Sequence, residues 1–159
     1  MCSTSQNVIT KKQISTMNRE ELKQFMPHRE PMLLIDDAEL INGEAVAHYH
    51  VTGEEFFVQG HFPGNPVVPG VILCEMMGQA CCALIKEEVQ GRTTLYSGID
   101  KVRFRRPVRP GDTVEIHAHI TNKRGLFFFV DAKMECNGKL CTSGSLAFVL
   151  VDGRGDSAQ

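Results

Sequence analysis

From Val71 to Ile85 the chain reads VILCEMMGQACCALI, and Glu75 and Gln79 are its only polar side chains. A helix that is apolar nearly all round offers no face to water, so other elements must enclose it. The spacing predicts one long central helix, opened by Pro69-Gly70 at about Val71 and continuing to about Val89. Lys86, Glu87 and Glu88 mark its emergence into solvent, and Gly91 stops it.

The enclosing elements are strands. Met32 to Ile41 and Glu44 to Val51 flank Asn42-Gly43, a pair suited to the positive φ angles of a type I′ hairpin turn. Four more extended runs follow at Thr94 to Phe104, Thr113 to Asn122, Leu126 to Cys136 and Lys139 to Val151. Pro110-Gly111-Asp112, Arg124-Gly125 and Asn137-Gly138 separate the last four as turn signals. Val114, Ile116, Ala118 and Ile120 alternate with Thr113, Glu115, His117 and His119, the period of a half-buried antiparallel strand. Upstream, Asn18 and Glu21 make a capping-box start for a short helix through about Phe25, which Pro27 ends. The simplest compact solution is an α+β hot-dog architecture, a six-stranded antiparallel sheet wrapped around the long central helix. Such a sheet covers one side of the helix, so the remaining apolar face predicts a homodimer at least. A chain of 159 residues suits one domain, expected over residues 16–151, with polar, aperiodic tails at 1–15 and 152–159.

Composition narrows the function classes. A formal charge of -2 gives no nucleic-acid signature, and there is no basic cluster followed by an apolar run at the start, nor a stretch of 18 apolar residues. The chain reads as cytoplasmic, with neither nucleic acid nor membrane as partner. Six cysteines form no Cys-x-x-Cys pair, and Cys74, Cys81 and Cys82 fall within the apolar helix, where reduced thiols act as small apolar side chains. Cys74 has no adjacent base and is read as packing.

Chemistry concentrates between Gly60 and Ala80, in GHFPGNPVVPGVILCEMMGQA. Desolvation disfavours an ionised carboxylate, so Glu75 inside an apolar helix is expected to have a raised pKa and to hold a proton near neutral pH. Histidine, whose unperturbed side chain titrates at about 6.5, is the natural base at neutral pH, and His61 supplies it from a Gly/Pro-rich loop. At the helix N-terminus beside Gly70, free backbone N–H groups favour developing negative charge. Gln79, one turn after Glu75, is placed to hydrogen-bond the carboxyl from a supporting position. His28 follows a helix-ending proline and reads as structural. His48 with His50, and His117 with His119, have the i, i+2 spacing of a zinc-binding strand face. No third ligand motif accompanies them, so they read as solvated faces, with no metal and no cofactor assigned.

That segment, together with MPHREPMLLIDD (Met26 to Asp37) and GIDKVRFRRPVRPGD (Gly98 to Asp112), resembles the 3-hydroxyacyl-[acyl-carrier-protein] dehydratases of type II fatty-acid synthesis. Glu at position 75, where isomerising relatives carry Asp, is similar to the non-isomerising branch. The resemblance implies a hydro-lyase converting a (3R)-3-hydroxyacyl-[acyl-carrier-protein] into the trans-2-enoyl thioester and water. His61 would take the C2 proton and Glu75, from a different subunit, would protonate the leaving C3 hydroxyl. The Gly70 amide would bind the thioester oxygen, with Val71 as a second donor, and the assembly would be a hexamer built as a trimer of dimers. An apolar acyl tunnel is implied, with Phe62, Val68, Ile99 and Phe104 as candidate lining and Tyr96 as a candidate gate. Because the carrier protein is acidic, Lys101, Arg103 and Arg105, alternating with Val102 and Phe104 and extended by Arg106 and Arg109, form a candidate carrier patch. The rival readings are a hot-dog thioesterase, a dehydratase of polyketide assembly, and a non-catalytic acyl-binding subunit. Product analysis separates the first, and the intact His61 and Glu75 argue against the last.

Overall fold

A computed structural model describes residues 15–153. Nearly all of both expected tails therefore lies outside the described residues. The elements run β1 (Thr16–Asn18), α1 (Arg19–Leu22), β2 (Asp37–Ile41), β3 (Glu44–His50), α2 (Gly70–Cys82), a 3-10 turn (Ala83–Ile85), α3 (Lys86–Val89), β4 (Arg92–Phe104), β5 (Thr113–Arg124), β6 (Phe127–Cys136) and β7 (Lys139–Asp152). All strand pairs are antiparallel, in the order β1-β2-β3-β5-β6-β7-β4.

The sheet has seven strands, one more than expected. The addition is β1, in which Met17 pairs with Ala38. Three residues with one buried side chain show no readable period. The strand expected from Met32 begins only at Asp37, because the backbone before it bonds to side chains. Arg19 donates to the carbonyls of Leu33 and Ile35, and Leu34 N–H donates to Gln79 Oε1 at 2.7 Å. β7 continues through Asp152, one residue past the expected domain edge.

The central helix is shorter than its apolar run. α2 ends at Cys82, and the chain tightens through the 3-10 turn before α3. Ile85 and Val89 thereby join Phe128 and Leu150 in a small second cluster at the far end of the sheet. Around α2, β3 and β5 contribute the inward row Ala45, Ala47, Val114, Ile116 and Ala118, all fully buried. Small alanines there let the helix lie close to the sheet. Met76 and Met77 are completely enclosed, each contributing about 1.5–3 kcal/mol by burial. The expected alternation of β5 ends at Ile120, where a register shift leaves that side chain 37% exposed.

Local signals were accurate where backbone chemistry is strict. Asn42-Gly43 and Asn137-Gly138 all have positive φ, as type I′ turns require. Asn18 accepts from Glu21 N–H while Glu21 accepts from Asn18 N–H, closing the expected capping box, although α1 stops at Leu22.

Candidate active site

His61 sits in a loop whose backbone is pinned on both sides. Its N–H donates to Val58 O at 3.0 Å, and its carbonyl accepts from Val67 N–H at 2.8 Å. The ring contact is more informative: Nδ1 lies 3.0 Å from Val67 O. A carbonyl only accepts, so Nδ1 carries the hydrogen and the neutral ring keeps its lone pair on Nε2. His61 lines a cavity of about 610 Å³ together with Val68, Gly70, Val71, Leu73, Phe104, Arg105 and Arg106.

The floor of this cavity is the start of α2. Ile72 and Leu73 make the first N–H bonds back to Pro69 O, so the amides of Gly70 and Val71 precede the intrahelical ladder. Proximity favours glycine at position 70: a Cβ there would meet Phe104 Cε1 and Cζ at 2.9 Å, and the exposed ring would have to move aside.

Glu75 faces a different chamber. Its surroundings include His28, Gln79, Thr94, Tyr96 and Phe148, and the enclosed space is only about 30 Å³. Gln79 Nε2 donates to Glu75 Oε1 at 2.9 Å and to Met32 O at 2.7 Å, tying the carboxylate to the segment before β2. His28 Nε2 lies 3.3 Å from Glu75 Oε1. That contact overturns the expected raised pKa. The His28 hydrogen bond outweighs desolvation and, with Gln79, holds the Glu75 carboxyl below the usual carboxylate range. His28, read from the sequence as structural, thus hydrogen-bonds the candidate acid, a partner that the sequence did not name. A buried carboxylate calls for a donor, and that requirement was the one available signal. Arg29 fixes the local backbone by donating to the carbonyls of Met26 and His28.

Tyr96 donates to Cys74 O at 2.5 Å, and burial raises its phenol far above the ordinary value. Gly78 makes room for it, since a Cβ there would collide with the Tyr96 hydroxyl. Burial likewise raises the Cys74 thiol and pushes Cys82 up to about 12, which suits their packing role.

The remaining candidates divide. Val68 and Phe104 line the His61 cavity, and Tyr96 the Glu75 chamber. Phe62 stacks on His61 at 4.2 Å and is 55% exposed, while Ile99 is exposed on β4. Both lie outside the linings of these two cavities. The single basic face expected from alternation is broken: Lys101 has φ 52, and the register shifts between Asp100 and Arg103. Lys101 borders a separate hollow with Asp131 and Ser145. Arg103 is exposed, Arg105 and Arg106 reach the His61 cavity, and Arg109 braces the histidine loop by donating to Asn65 Oδ1 and Pro66 O.

A curved antiparallel sheet around one helix, with a histidine loop at the helix mouth and a carboxylate on the helix, defines a hot-dog protein. Solved structures agree on this fold. The chain matches the dehydratase heterocomplex ApeI:P from Xenorhabdus doucetiae with a TM-score of 0.72 at 18% identity, covering 82% of this chain and 91% of that one. It matches the fluoroacetyl-CoA thioesterase FlK with a TM-score of 0.61 at 16% identity, covering 71% and 88%. A family model described as a FabA-like domain matches residues 26–145. The FabZ 3-hydroxyacyl-[acyl-carrier-protein] dehydratase of Clostridium perfringens is 44% identical over 137 residues, covering 84% of this chain and 99% of the relative. The Streptococcus sanguinis FabZ is 43% identical over 132 residues, covering 81% and 94%. The chain belongs to the FabZ 3-hydroxyacyl-[acyl-carrier-protein] dehydratase family.

Proposed function

We propose that this chain removes water from (3R)-3-hydroxyacyl-[acyl-carrier-protein] to give the trans-2-enoyl thioester in type II fatty-acid synthesis, with His61 and Glu75 as the catalytic pair. The observation that carries this reading is the His61 tautomer. With Nδ1–H held by Val67 O, the basic Nε2 is free within a cavity floored by the Gly70 and Val71 amides. A thioester carbonyl on those amides is polarised, which acidifies C2, and Nε2 takes the C2 proton. The C3–O bond breaks as the C2 electron pair forms the double bond. Glu75 protonates the departing hydroxyl, and the proton gained by His61 returns to Glu75 through solvent.

Because His28 keeps Glu75 low, the acid form depends on substrate. An acyl chain that displaces water strengthens the desolvation opposing His28, and this drives a proton onto the carboxyl. The 30 Å³ chamber suits one water, the size of the leaving group. Within one protomer His61 and Glu75 line separate cavities, which supports sites composed of His61 from one subunit and Glu75 from another. The edge of β4, unpaired among the described residues, with Leu95 and Ile99 each almost half exposed, and Val71 at 76% exposure, supports a second copy adding to the sheet there. A trimer of such dimers, a cytoplasmic location and a single catalytic domain over residues 16–151 complete the reading. Arg105 and Arg106, at the cavity wall, are the best placed of the basic residues to receive the acidic carrier and its phosphopantetheine.

Purified protein given 3-hydroxybutyryl carrier should lose water while keeping the thioester. His61→Ala and Glu75→Gln should each lower turnover by about 10²-fold or more. Near-wild-type turnover in both, or release of free carrier thiol as the main product, would refute the assignment.

A further inference from the structure

A second constellation lies on the outer face of the sheet, away from α2. Strand register sets Asp37, His48, Glu115 and Glu135 in one row across β2, β3, β5 and β6. His117 is two residues from Glu115 and shares its face. His48 Nδ1 lies 2.7 Å from Asp37 Oδ1, and its Nε2 lies 3.3 Å from Glu115 Oε2. His117 repeats the pattern, with Nδ1 2.8 Å from Glu44 Oε1 and Nε2 2.6 Å from Glu115 Oε1. Each imidazole is therefore oriented at Nδ1 by its own carboxylate, and both Nε2 atoms converge on the carboxylate of Glu115. A carboxylate only accepts, so each Nε2–H here donates to Glu115; a cation that takes the place of those two protons would meet Nε2 lone pairs oriented by Nδ1–H–carboxylate bonds, the arrangement of metal-ligating histidines.

We propose that His48, His117, Glu115 and Glu135 bind one divalent cation of borderline softness, with zinc the best match. Two imidazoles and two carboxylates neutralise its charge, and the nitrogen donors favour zinc over calcium or magnesium, which take oxygen ligands. Ligand atoms of Glu115, His117 and Glu135 all lie within 4.8 Å of one another. Tetrahedral bonds of about 2.0 Å place ligand atoms roughly 3.3 Å apart, a spacing bracketed by the Nε2 contacts to Glu115. His48, Glu115 and Glu135 also line an open hollow of about 300 Å³, which gives the ion an entry path. Lys133 Nζ, 2.8 Å from Glu135 Oε1, is half exposed and can yield that oxygen at little cost. Spacing along single strands had paired His48 with His50 and His117 with His119. Instead, His50 bonds Thr113, and the imidazoles meet across strands. The ion would clasp β3, β5 and β6, and it is independent of the dehydratase reading.

The test uses the full-length protein, stripped with EDTA and titrated with zinc chloride by calorimetry. Cobalt(II) substitution then reports the donor set. We expect one ion per protomer, micromolar or tighter affinity, proton release on binding, a raised Tm, and a cobalt spectrum without thiolate charge-transfer bands. His48→Ala with His117→Ala should abolish binding. Glu44→Gln, which leaves every ligand in place, should weaken it by about 10–100-fold. Affinity should fall as pH is lowered, because protons compete with the ion for the imidazoles, which face Asp37, Glu44 and Glu115, with Glu135 and Lys133 alongside. No zinc binding below 1 mM in wild type, undiminished affinity in the double variant, or thiolate bands on cobalt would each overturn the site. If the double variant fails to fold, the Glu44→Gln affinity and the cobalt spectrum decide the question.

Discussion

The Glu75 carboxyl is governed by a contact from a residue far away in the chain. His28 pulls its pKa down while burial pushes it up, and the hydrogen bond prevails. In His28→Ala only desolvation and the Gln79 bond remain, so the carboxyl pKa rises. Because the carboxyl titrates below an ordinary imidazole, the limb on which kcat/KM rises with pH carries it, and in His28→Ala that limb should move to higher pH with a higher plateau, read from profiles of the two proteins. An unmoved limb would separate His28 from the acid. A second residue-scale expectation concerns Gly78, whose missing Cβ gives space to the Tyr96 hydroxyl. Gly78→Ala should cost about 1–3 kcal/mol by overpacking, measured by denaturant unfolding. At this scale the Gln79 bond to Glu75 was legible because one helix carries both residues one turn apart. His28 was not, because only tertiary folding brings it to Glu75.

Elements were legible where a turn or a period is dictated locally, as in the Asn-Gly hairpins and the inward row of β5. They were obscured where side chains replace strand partners. Leu33 and Ile35 have the composition of a strand, yet Arg19 takes their carbonyls while Gln79 takes the Leu34 amide. The end of α2 was hidden likewise, since the 3-10 turn is imposed by packing of Ile85 and Val89 rather than by a breaker residue. The β2–β3–β5 face carries its own consequence. Burial lowers the His48 pKa, but the bonds to Asp37 and Glu115 outweigh it and leave it raised. A folded pKa above the unfolded value of about 6.5 adds stability that is complete below that pH and is lost as pH rises through the folded pKa. In metal-free buffer, Tm should therefore fall by about 1–3 °C more in wild type than in His48→Gln as pH is raised through that window. Equal slopes in the two proteins would remove His48 from the stability balance.

Among the described residues the whole molecule presents a long strand, β4, with one edge unpaired, exposed apolar side chains along it, and two reactive groups in separate chambers of one protomer. All three features are accounted for by a second copy. The sequence predicted the pairing from a helix too apolar for one sheet, whereas this sheet encloses more of α2 than expected, and the exposed residue that remains is Val71 near its N-terminus. Subunit mixing tests this most directly. His61→Ala and Glu75→Gln protomers, each inactive alone, are co-expressed and the mixed assemblies assayed for dehydration. A site shared between protomers leaves one intact site in every mixed dimer, so random pairing should restore about one quarter of wild-type specific activity. Activity no higher than that of the separate variants would contradict the shared site.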